Sequence, residues 1–311
     1  MRGGRDDGGP PPLGPAAVPL GDSDSRQLGP YRLLGLLGRG RNGPVYLGRG
    51  APRRGARKQL AAVRALRPEL LRDRQTRARL RQDQLAVAAR VREERVAGAL
   101  GCELDSERPW LAAEFVPGPA LGPLVARHGP LPESGVRALG GALAHALSAL
   151  HSAGAAHGDL RPENVLLDSG APRVVDYALG PGAAARGADA DGAGGGPGEQ
   201  AAARAADVFA LGAVLVFAAT AQLPSPAARL AAAPGPPEPS GVPEALRPVL
   251  LGCLHPVPDS RPSPEAVARA LDPAGWAQRP ATDWLPEVYA LEIAAVAREA
   301  RALSGRRLFG R

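Results

Sequence analysis

The chain of 311 residues is poor in aromatic residues, lysine and cysteine, and the scarcity of aromatic residues and of cysteine each excludes a class of protein. Aromatic residues make up 4% of it, so the stacking side chains of a single-strand nucleic-acid binder are nearly missing. Cys102 and Cys253 lie far apart, which excludes a cysteine-based metal site or a disulfide framework. The longest apolar run, 208–221, is too short for a bilayer, and Pro and Gly interrupt the N-terminal apolar residues. We therefore expect a cytoplasmic protein without a membrane segment.

The net charge of +7 comes almost entirely from arginine, since Lys58 is the only lysine. Arginine is densest between residues 49 and 95, where acidic residues are interleaved with it. A charge of this size can attract nucleic acid. Without aromatic residues in the same stretch, it favours a solvated or phosphate-facing surface instead, and we expect no nucleic-acid partner.

The first third of the chain has the pattern of a small sheet. Residues 1–29 are rich in Gly, Pro and Asp and predict a disordered tail. Short apolar runs at 31–37, 45–47, 60–66 and 110–115 predict strands. A helical stretch with Leu80, Leu85 and Val87 among its apolar positions interrupts these strands.

After Gly118 the pattern becomes helical. One stripe at spacings of three and four consists of Val136, Leu139, Leu143, Leu147 and Leu150. A second helix is predicted over 207–221, and a last stripe consists of Tyr289, Ile293, Val296, Ala300 and Leu303. We expect this last helix to pack on the helical part of the protein, with binding to a partner as the alternative. The prediction is a two-lobed α+β fold: an N-terminal lobe at 30–118, a C-terminal lobe at 119–280 and a helical extension at 281–311.

A glycine motif lies between the first two predicted strands. Gly38, Gly40, Gly43 and Val45 form the pattern G-x-G-x-x-G-x-V, in which backbone N–H groups can approach phosphates without obstruction by Cβ atoms. In a glycine-rich chain the pattern also arises by chance or in a plain hairpin. Its position between two strands differs from that of the dinucleotide-binding motif, which precedes a helix.

Two later segments carry functional side chains at a specific spacing. His157-Gly158-Asp159-Leu160-Arg161-Pro162-Glu163-Asn164 is followed by Asp176-Tyr177-Ala178. Together they resemble the H-R-D-L-x-x-x-N loop and the D-F-G triplet of bacterial serine/threonine protein kinases. The resemblance implies that Asp159 accepts the proton of the hydroxyl being phosphorylated and that Asn164 and Asp176 hold Mg²⁺. Arg161, in place of lysine, keeps a positive charge near the γ-phosphate.

The same resemblance identifies a nucleotide site. Residues 61–70 are similar to V-A-V-K-V-L-R-P-E-L of actinobacterial kinases, with Arg64 in the lysine position. Asp83 is the candidate for the acidic partner of Arg64, and two separate solvated charges are the alternative. Lys58 lies about 20 Å away along the strand and cannot replace Arg64. ATP is expected to contact the three glycines and a further set of residues: Val45, Ala62, Arg64, Asp83, Glu114, Val116 and Leu166.

The resemblance also assigns structural residues. Asp207 is expected to anchor the backbone of the 157–164 loop, and Arg261 to pair with Glu199. His157 is expected to pack beneath Tyr177. His151 is interpreted as a capping or surface residue.

Two departures from the family concern regulation. Gly158 replaces the arginine that normally binds a phosphate on the activation loop, and no Ser, Thr or Tyr lies between Ala178 and Glu199 to carry that phosphate. Ala178, where the family has glycine, restricts the backbone. We therefore do not expect activation by phosphorylation of this loop.

Three functions are compatible with these residues. The first is a divergent serine/threonine kinase that uses ATP and Mg²⁺ and transfers phosphate weakly to protein substrates. A general preference for arginine explains Arg64 and Arg161 in such an enzyme. The second is a pseudokinase that acts through regulatory protein partners, and the third is an arginine-rich nucleic-acid binder.

Overall fold

The computed structural model describes residues 17–22, 24–40, 42–53, 55–179, 197–223 and 241–305, with the backbone alone for residue 197 and residues 303–305. The described strands are β1 (Gln27–Leu28), β2 (Tyr31–Gly40), β3 (Gly43–Gly50), β4 (Gln59–Ala65), β5 (Ala99–Glu103), β6 (Trp110–Glu114), β7 (Val165–Leu167) and β8 (Pro172–Val174). The described helices are α1 (Arg74–Arg90), α2 (Leu121–His128), α3 (Glu133–Ser152), α4 (Pro197–Thr220), α5 (Arg247–Cys253), α6 (Pro264–Leu271) and α7 (Glu287–Gly305). The result is the predicted α+β fold, with a β-rich N-terminal lobe and a helical C-terminal lobe.

The N-terminal lobe is an antiparallel sheet in the order β1-β2-β3-β4-β6-β5. Its core includes Tyr31 and Trp110, whose rings meet edge to face with centroids 5.7 Å apart. β5 was not predicted, because its sequence Ala-Leu-Gly-Cys-Glu has no alternation of apolar and polar residues. In the structure this strand is partly exposed. The other strands of this sheet that face the cleft lie where the apolar runs predicted them.

Helix α1 packs against the sheet through one face. Asp73 caps its N-terminus by accepting hydrogen bonds from the backbone N–H groups of Gln75 and Thr76. The buried residues are Leu80, Gln84 and Val87, at the spacing of one helix face. Leu85, also among the apolar positions of the predicted helix, lies outside this face and is 61% exposed.

The core of the C-terminal lobe forms around α3. All five apolar residues of its predicted stripe are fully buried, which confirms the helix and its inner face. Gly140 allows α6 to approach closely, because a Cβ atom there would lie 2.4 Å from a methyl carbon of Leu271. The lobes are joined where Ala97 N–H donates to the Val174 carbonyl at 3.0 Å and Val174 N–H to the Arg95 carbonyl at 2.8 Å.

Helix α4 is longer than predicted, since it begins at Pro197 rather than at residue 207. Residues Gly198–Thr220 are long and apolar enough to cross a membrane by length and composition alone. Half of their most apolar window is buried inside the protein, and the buried residues include Leu211, Val214 and Leu215. The core helix of a globular protein meets the same criteria, and the buried residues of α4 are typical of such a helix.

Part of the predicted N-terminal tail is ordered. Val18 exchanges two backbone hydrogen bonds of 2.8 Å with Leu36, and β1 pairs with β2. The prediction of a tail through residue 29 was therefore wrong for the described residues of 17–29. Residues 1–16 lie outside the described part of the chain.

Helix α7 packs on the helical lobe. Tyr289, Ile293, Val296 and Ala300 are buried, as the stripe predicts, and the side chain of Leu303 lies outside the described residues. The Tyr289 hydroxyl donates to the Gly129 carbonyl at the end of α2. Glu292 lies 3.4 Å from Arg127 and 3.3 Å from His128. The apolar face of α7, for which partner binding was the alternative, is therefore covered by the protein itself.

Candidate nucleotide site

A cleft of about 360 Å³ lies between the lobes. It is lined by most of the residues predicted to bind ATP or metal, namely Gly38, Gly40, Val45, Ala62, Arg64, Glu114, Val116, Arg161, Asn164, Leu166 and Asp176. Gly43, Asp83 and Asp159 do not line it directly. The sheet supplies the upper wall, and the loop before β7 and the segment after β8 supply the lower wall.

One end of the cleft is apolar. Val45 on β3 and Ala62 on β4 form the ceiling, and Leu166 on β7 forms the floor. Such a slot suits a flat ring. The Glu114 carboxylate is not available to such a ring, because this carboxylate accepts hydrogen bonds from Gly98 N–H at 3.2 Å and Arg173 at 2.6 Å. A ligand contact at Glu114 would therefore use its backbone carbonyl, since its N–H donates to the Gly98 carbonyl at 2.9 Å.

The glycine motif forms the hairpin between β2 and β3, with Gly40 opposite Gly43. Gly43 has a φ of +117°, and a Cβ atom there would lie 1.9 Å from the Ala65 carbonyl oxygen, so the position requires glycine. The Asn42 side chain at the tip donates to the Leu179 carbonyl at 3.1 Å. The tip is thus tied to the segment after Asp176-Tyr177-Ala178, a contact that the sequence did not predict.

Asp207 on α4 holds the 157–164 loop, as predicted. One carboxylate oxygen accepts from Gly158 N–H at 2.7 Å, and the other accepts from His157 N–H at 2.8 Å and lies 2.8 Å from His151 Nε2. Asp207 is 1% exposed. His151 is therefore a buried partner of this carboxylate, and its interpretation as a capping or surface residue was wrong.

Gly158 has a φ of +74°, a conformation that costs a residue with a Cβ atom about 1 kcal/mol or more. His157 is fully buried, and its carbonyl accepts from Ala178 N–H at 2.7 Å. Burial lowers the pKa of the His157 imidazole below its ordinary value. His157 is therefore a neutral structural residue that joins this loop to the triplet at 176–178.

Asp159 and Asn164 are in direct contact. The Asn164 Nδ2 group donates to the Asp159 carbonyl at 2.8 Å and to its carboxylate at 3.2 Å. Arg161 Nε lies 3.9 Å from the Asp159 carboxylate and 3.5 Å from that of Glu163. The loop thus brings together a carboxylate that could accept a proton and a guanidinium that could face a phosphate.

Arg64 forms its ion pair with Asp176 and not with Asp83. Its Nε donates to one Asp176 oxygen at 3.2 Å and its Nη2 to the other, while Nη1 donates to the Gly43 carbonyl at 3.0 Å. The predicted pair with Asp83 was therefore wrong.

Helical geometry gives the reason. Gln84 lies on the same face of α1 as Leu80 and Val87, is 6% exposed and lines the cleft. Asp83 lies one residue away and lines a separate surface depression with Arg81 and Arg90. The 80–84–87 spacing could have identified Gln84, but the motif alone could not.

The residues fit a Mg²⁺ ion only in part. The Asn164 amide nitrogen makes both bonds to Asp159, so its oxygen is left to accept a cation. Both oxygens of Asp176, however, are bonded to Arg64. Among the described residues no three His, Cys, Asp or Glu side chains form a further metal cluster. A Mg²⁺ ion at Asp176 would meet the positive charge of the guanidinium at the same carboxylate.

The triplet at 176–178 has an uncommon backbone. Asp176 and Ala178 have φ values of +61° and +64°, the left-handed region that residues with a Cβ atom rarely adopt. The side chains of Tyr177 and Ala178 are both buried. Glycine would therefore fit position 178 better than alanine, in agreement with the backbone restriction predicted there.

Replacement of Tyr177 by phenylalanine is expected to raise the free energy of unfolding by about 1 kcal/mol. The Tyr177 ring is 3% exposed, and its hydroxyl has no hydrogen-bond partner among the described residues. Burial raises the pKa of this hydroxyl, as expected for a group removed from water. Urea unfolding measures the change. Tyr289→Phe is the matched control and should lower stability by a similar amount, because its hydroxyl has a partner. A destabilised Tyr177→Phe variant would contradict this interpretation.

The predicted pair of Arg261 and Glu199 was wrong. Arg261 donates to the carbonyls of His255 at 2.8 Å and Ala205 at 2.9 Å. Glu199 instead lies 4.0 Å from Arg79 on α1. The reason is the uninterrupted helix α4, which places Glu199 about 9 Å along its axis from Ala205, the residue that Arg261 contacts.

Comparison with known proteins agrees with this geometry. Residues 31–190 match the family model described as the protein kinase domain. The chain is 35% identical over 289 residues to the serine/threonine-protein kinase AfsK of Streptomyces coelicolor, covering 86% of this chain and 35% of that protein. It is 34% identical to AfsK of Streptomyces griseus over 293 residues, with the same coverage of each.

Solved structures agree on the fold. The crystal structure of the Mycobacterium tuberculosis PknI kinase domain superposes with a TM-score of 0.63 at 23% identity, covering 79% of this chain and 96% of that one. The chain spans about a third of the length of the curated relatives it matches.

Proposed function

Because this chain belongs to the protein kinase family and is similar to bacterial serine/threonine kinases, we propose that it binds ATP in the cleft and transfers phosphate slowly to protein hydroxyls. The observation that carries the proposal is one cleft with an apolar slot at one end and Arg64, Asn164 and Asp176 at the other. Adenine would occupy the slot, and the phosphates would extend toward the charged end.

Asp159 is the proposed proton acceptor for the attacking hydroxyl. Its contact with the Asn164 amide orients the carboxylate, and Arg161 supplies positive charge beside it. A Mg²⁺ ion, when bound, would neutralise phosphate charge, with Asn164 and Asp176 as its proposed ligands. Slow transfer is expected because Arg64 holds the Asp176 carboxylate, and loss of one electrostatic contact typically lowers a rate by about 10²–10³-fold.

Phosphate transfer from ATP labelled at the γ-position tests the enzyme proposal. Wild-type protein should label itself or a general protein substrate, and Asp159→Asn should reduce that signal by about 10²-fold or more. Equal signals from the two proteins would contradict catalysis at Asp159.

A pseudokinase is the second candidate, favoured by the engagement of Asp176 with Arg64. For this function ATP should raise the melting temperature while labelling stays at background. We also propose that the whole protein acts on protein substrates or regulatory protein partners. We propose for it a cytoplasmic location, where ATP is available.

Replacement of Ala62 by leucine is expected to weaken ATP binding about 10-fold or more. Ala62 lines the ceiling of the slot, and a larger side chain would fill the space for a flat ring. Calorimetric titration with ATP measures the affinity. The melting temperature without nucleotide serves as the control for folding. Unchanged affinity in a folded variant would place the adenine elsewhere.

A further inference from the structure

The Arg64 guanidinium lies between the glycine hairpin and Asp176. The residue is 8% exposed, sits opposite Val45 across the strands, and lines the charged end of the cleft. Gly40 leaves room beside it, since a Cβ atom there would lie 3.6 Å from Arg64 Nη1. A phosphate chain attached to a base in the apolar slot would run past this group.

The guanidinium can bind Asp176 and a phosphate together. It has five N–H groups, of which the bonds to Asp176 and Gly43 use three. The two that remain belong to Nη1 and Nη2. Guanidinium N–H groups are good donors to phosphate oxygens.

Asp176 is the acid on which a metal would depend, and its two oxygens are both engaged by Arg64. A planar guanidinium spans both oxygens of a carboxylate, which a lysine ammonium does not do as a single point charge. A divalent ion at Asp176 would therefore share this carboxylate with the guanidinium, and the two cations repel each other there. The side chains of Arg39 and Arg161 line the same cleft, and Arg161 lies near the carboxylates of Asp159 and Glu163.

From these contacts we propose that the protein binds nucleoside triphosphates without a divalent metal, with Arg64 as the counter-cation of the phosphates. Mg²⁺ and Arg64 compete for Asp176, so the metal is needed for transfer and not for binding. The proposal rests on the proposed nucleotide site. It goes further by assigning Arg64 to metal-independent binding.

Calorimetric titration of the full chain with ATP, in excess EDTA and in excess MgCl₂, tests this inference. For the wild type we expect dissociation constants in the two media to agree within about threefold. Arg64→Lys should weaken binding in EDTA about 10-fold and restore metal dependence, because the ammonium leaves an Asp176 oxygen free. Arg32→Lys is the matched control, since Arg32 is exposed on β2 outside the cleft, and it should behave as the wild type.

Asp176→Asn provides a second variant, should Arg64→Lys not fold. It removes the negative charge beside Arg64 and the proposed metal ligand, so ATP should bind in EDTA at least as tightly as to the wild type, and MgCl₂ should add nothing. If the wild type binds ATP in MgCl₂ but not in EDTA, the metal-independent mode is overturned and the nucleotide site stays supported. No binding in either medium would contradict the nucleotide site itself and, with it, this inference.

Discussion

Substitution of Asp207 by alanine is expected to lower the free energy of unfolding by about 3–5 kcal/mol. Asp207 is 1% exposed and accepts hydrogen bonds from two backbone N–H groups, while a third polar atom, His151 Nε2, lies 2.8 Å away. Alanine would leave these groups buried without their acceptor, and each unsatisfied group costs about 1–3 kcal/mol. Urea unfolding followed by circular dichroism measures the loss.

Asp168→Ala is the matched control. Asp168 also accepts from two backbone N–H groups, those of Gly170 at 2.7 Å and Ala171 at 2.9 Å, but it lies at a partly exposed turn. Water can replace its bonds, so we expect a loss of about 1 kcal/mol. Similar losses for the two variants would show that the burial of Asp207 does not determine its contribution.

Substitution of Arg64 by lysine is expected to raise the rate of magnesium-dependent phosphate transfer about 10-fold or more. The guanidinium engages both oxygens of Asp176, and a lysine ammonium would release at least one for a metal. Gln84, which lines the same cleft, has no charge that would draw the lysine away. Initial rates with labelled ATP, at saturating nucleotide and MgCl₂, measure the change.

The double variant Arg64→Lys/Asp159→Asn is the control for that rate. It should return labelling to background, because the proton acceptor is missing while the metal site is released. An Arg64→Lys rate equal to or below that of the wild type would contradict the competition between Arg64 and a metal. It would favour the alternative that arginine at this position is a tolerated general preference.

The fold was predictable because its signals are periodic and local. The buried stripe of α3 follows from apolar spacings of three and four, and the strands of the cleft follow from short apolar runs. The lower wall was predictable for a similar reason. Asp159 and Asn164 lie close in the chain, so their spacing nearly determines their contact.

Contacts between distant elements were not predictable in this way. The assignment of Asp83 failed by one residue, because a motif does not determine which side of α1 faces the cleft. Glu199 and Arg261 failed to pair because α4 begins ten residues before the predicted helix and places Glu199 beside Arg79 of α1. His151 was misassigned since nothing near it in the sequence indicates Asp207, which lies 56 residues away.

A crystal structure of the chain with a non-hydrolysable ATP analogue, grown in EDTA, tests the central claim most directly. The account predicts the base between Val45, Ala62 and Leu166, with the phosphates on Arg64 and the bonds from Arg64 to Asp176 retained. A cleft without nucleotide at saturating analogue, or phosphates bound away from Arg64, would contradict it.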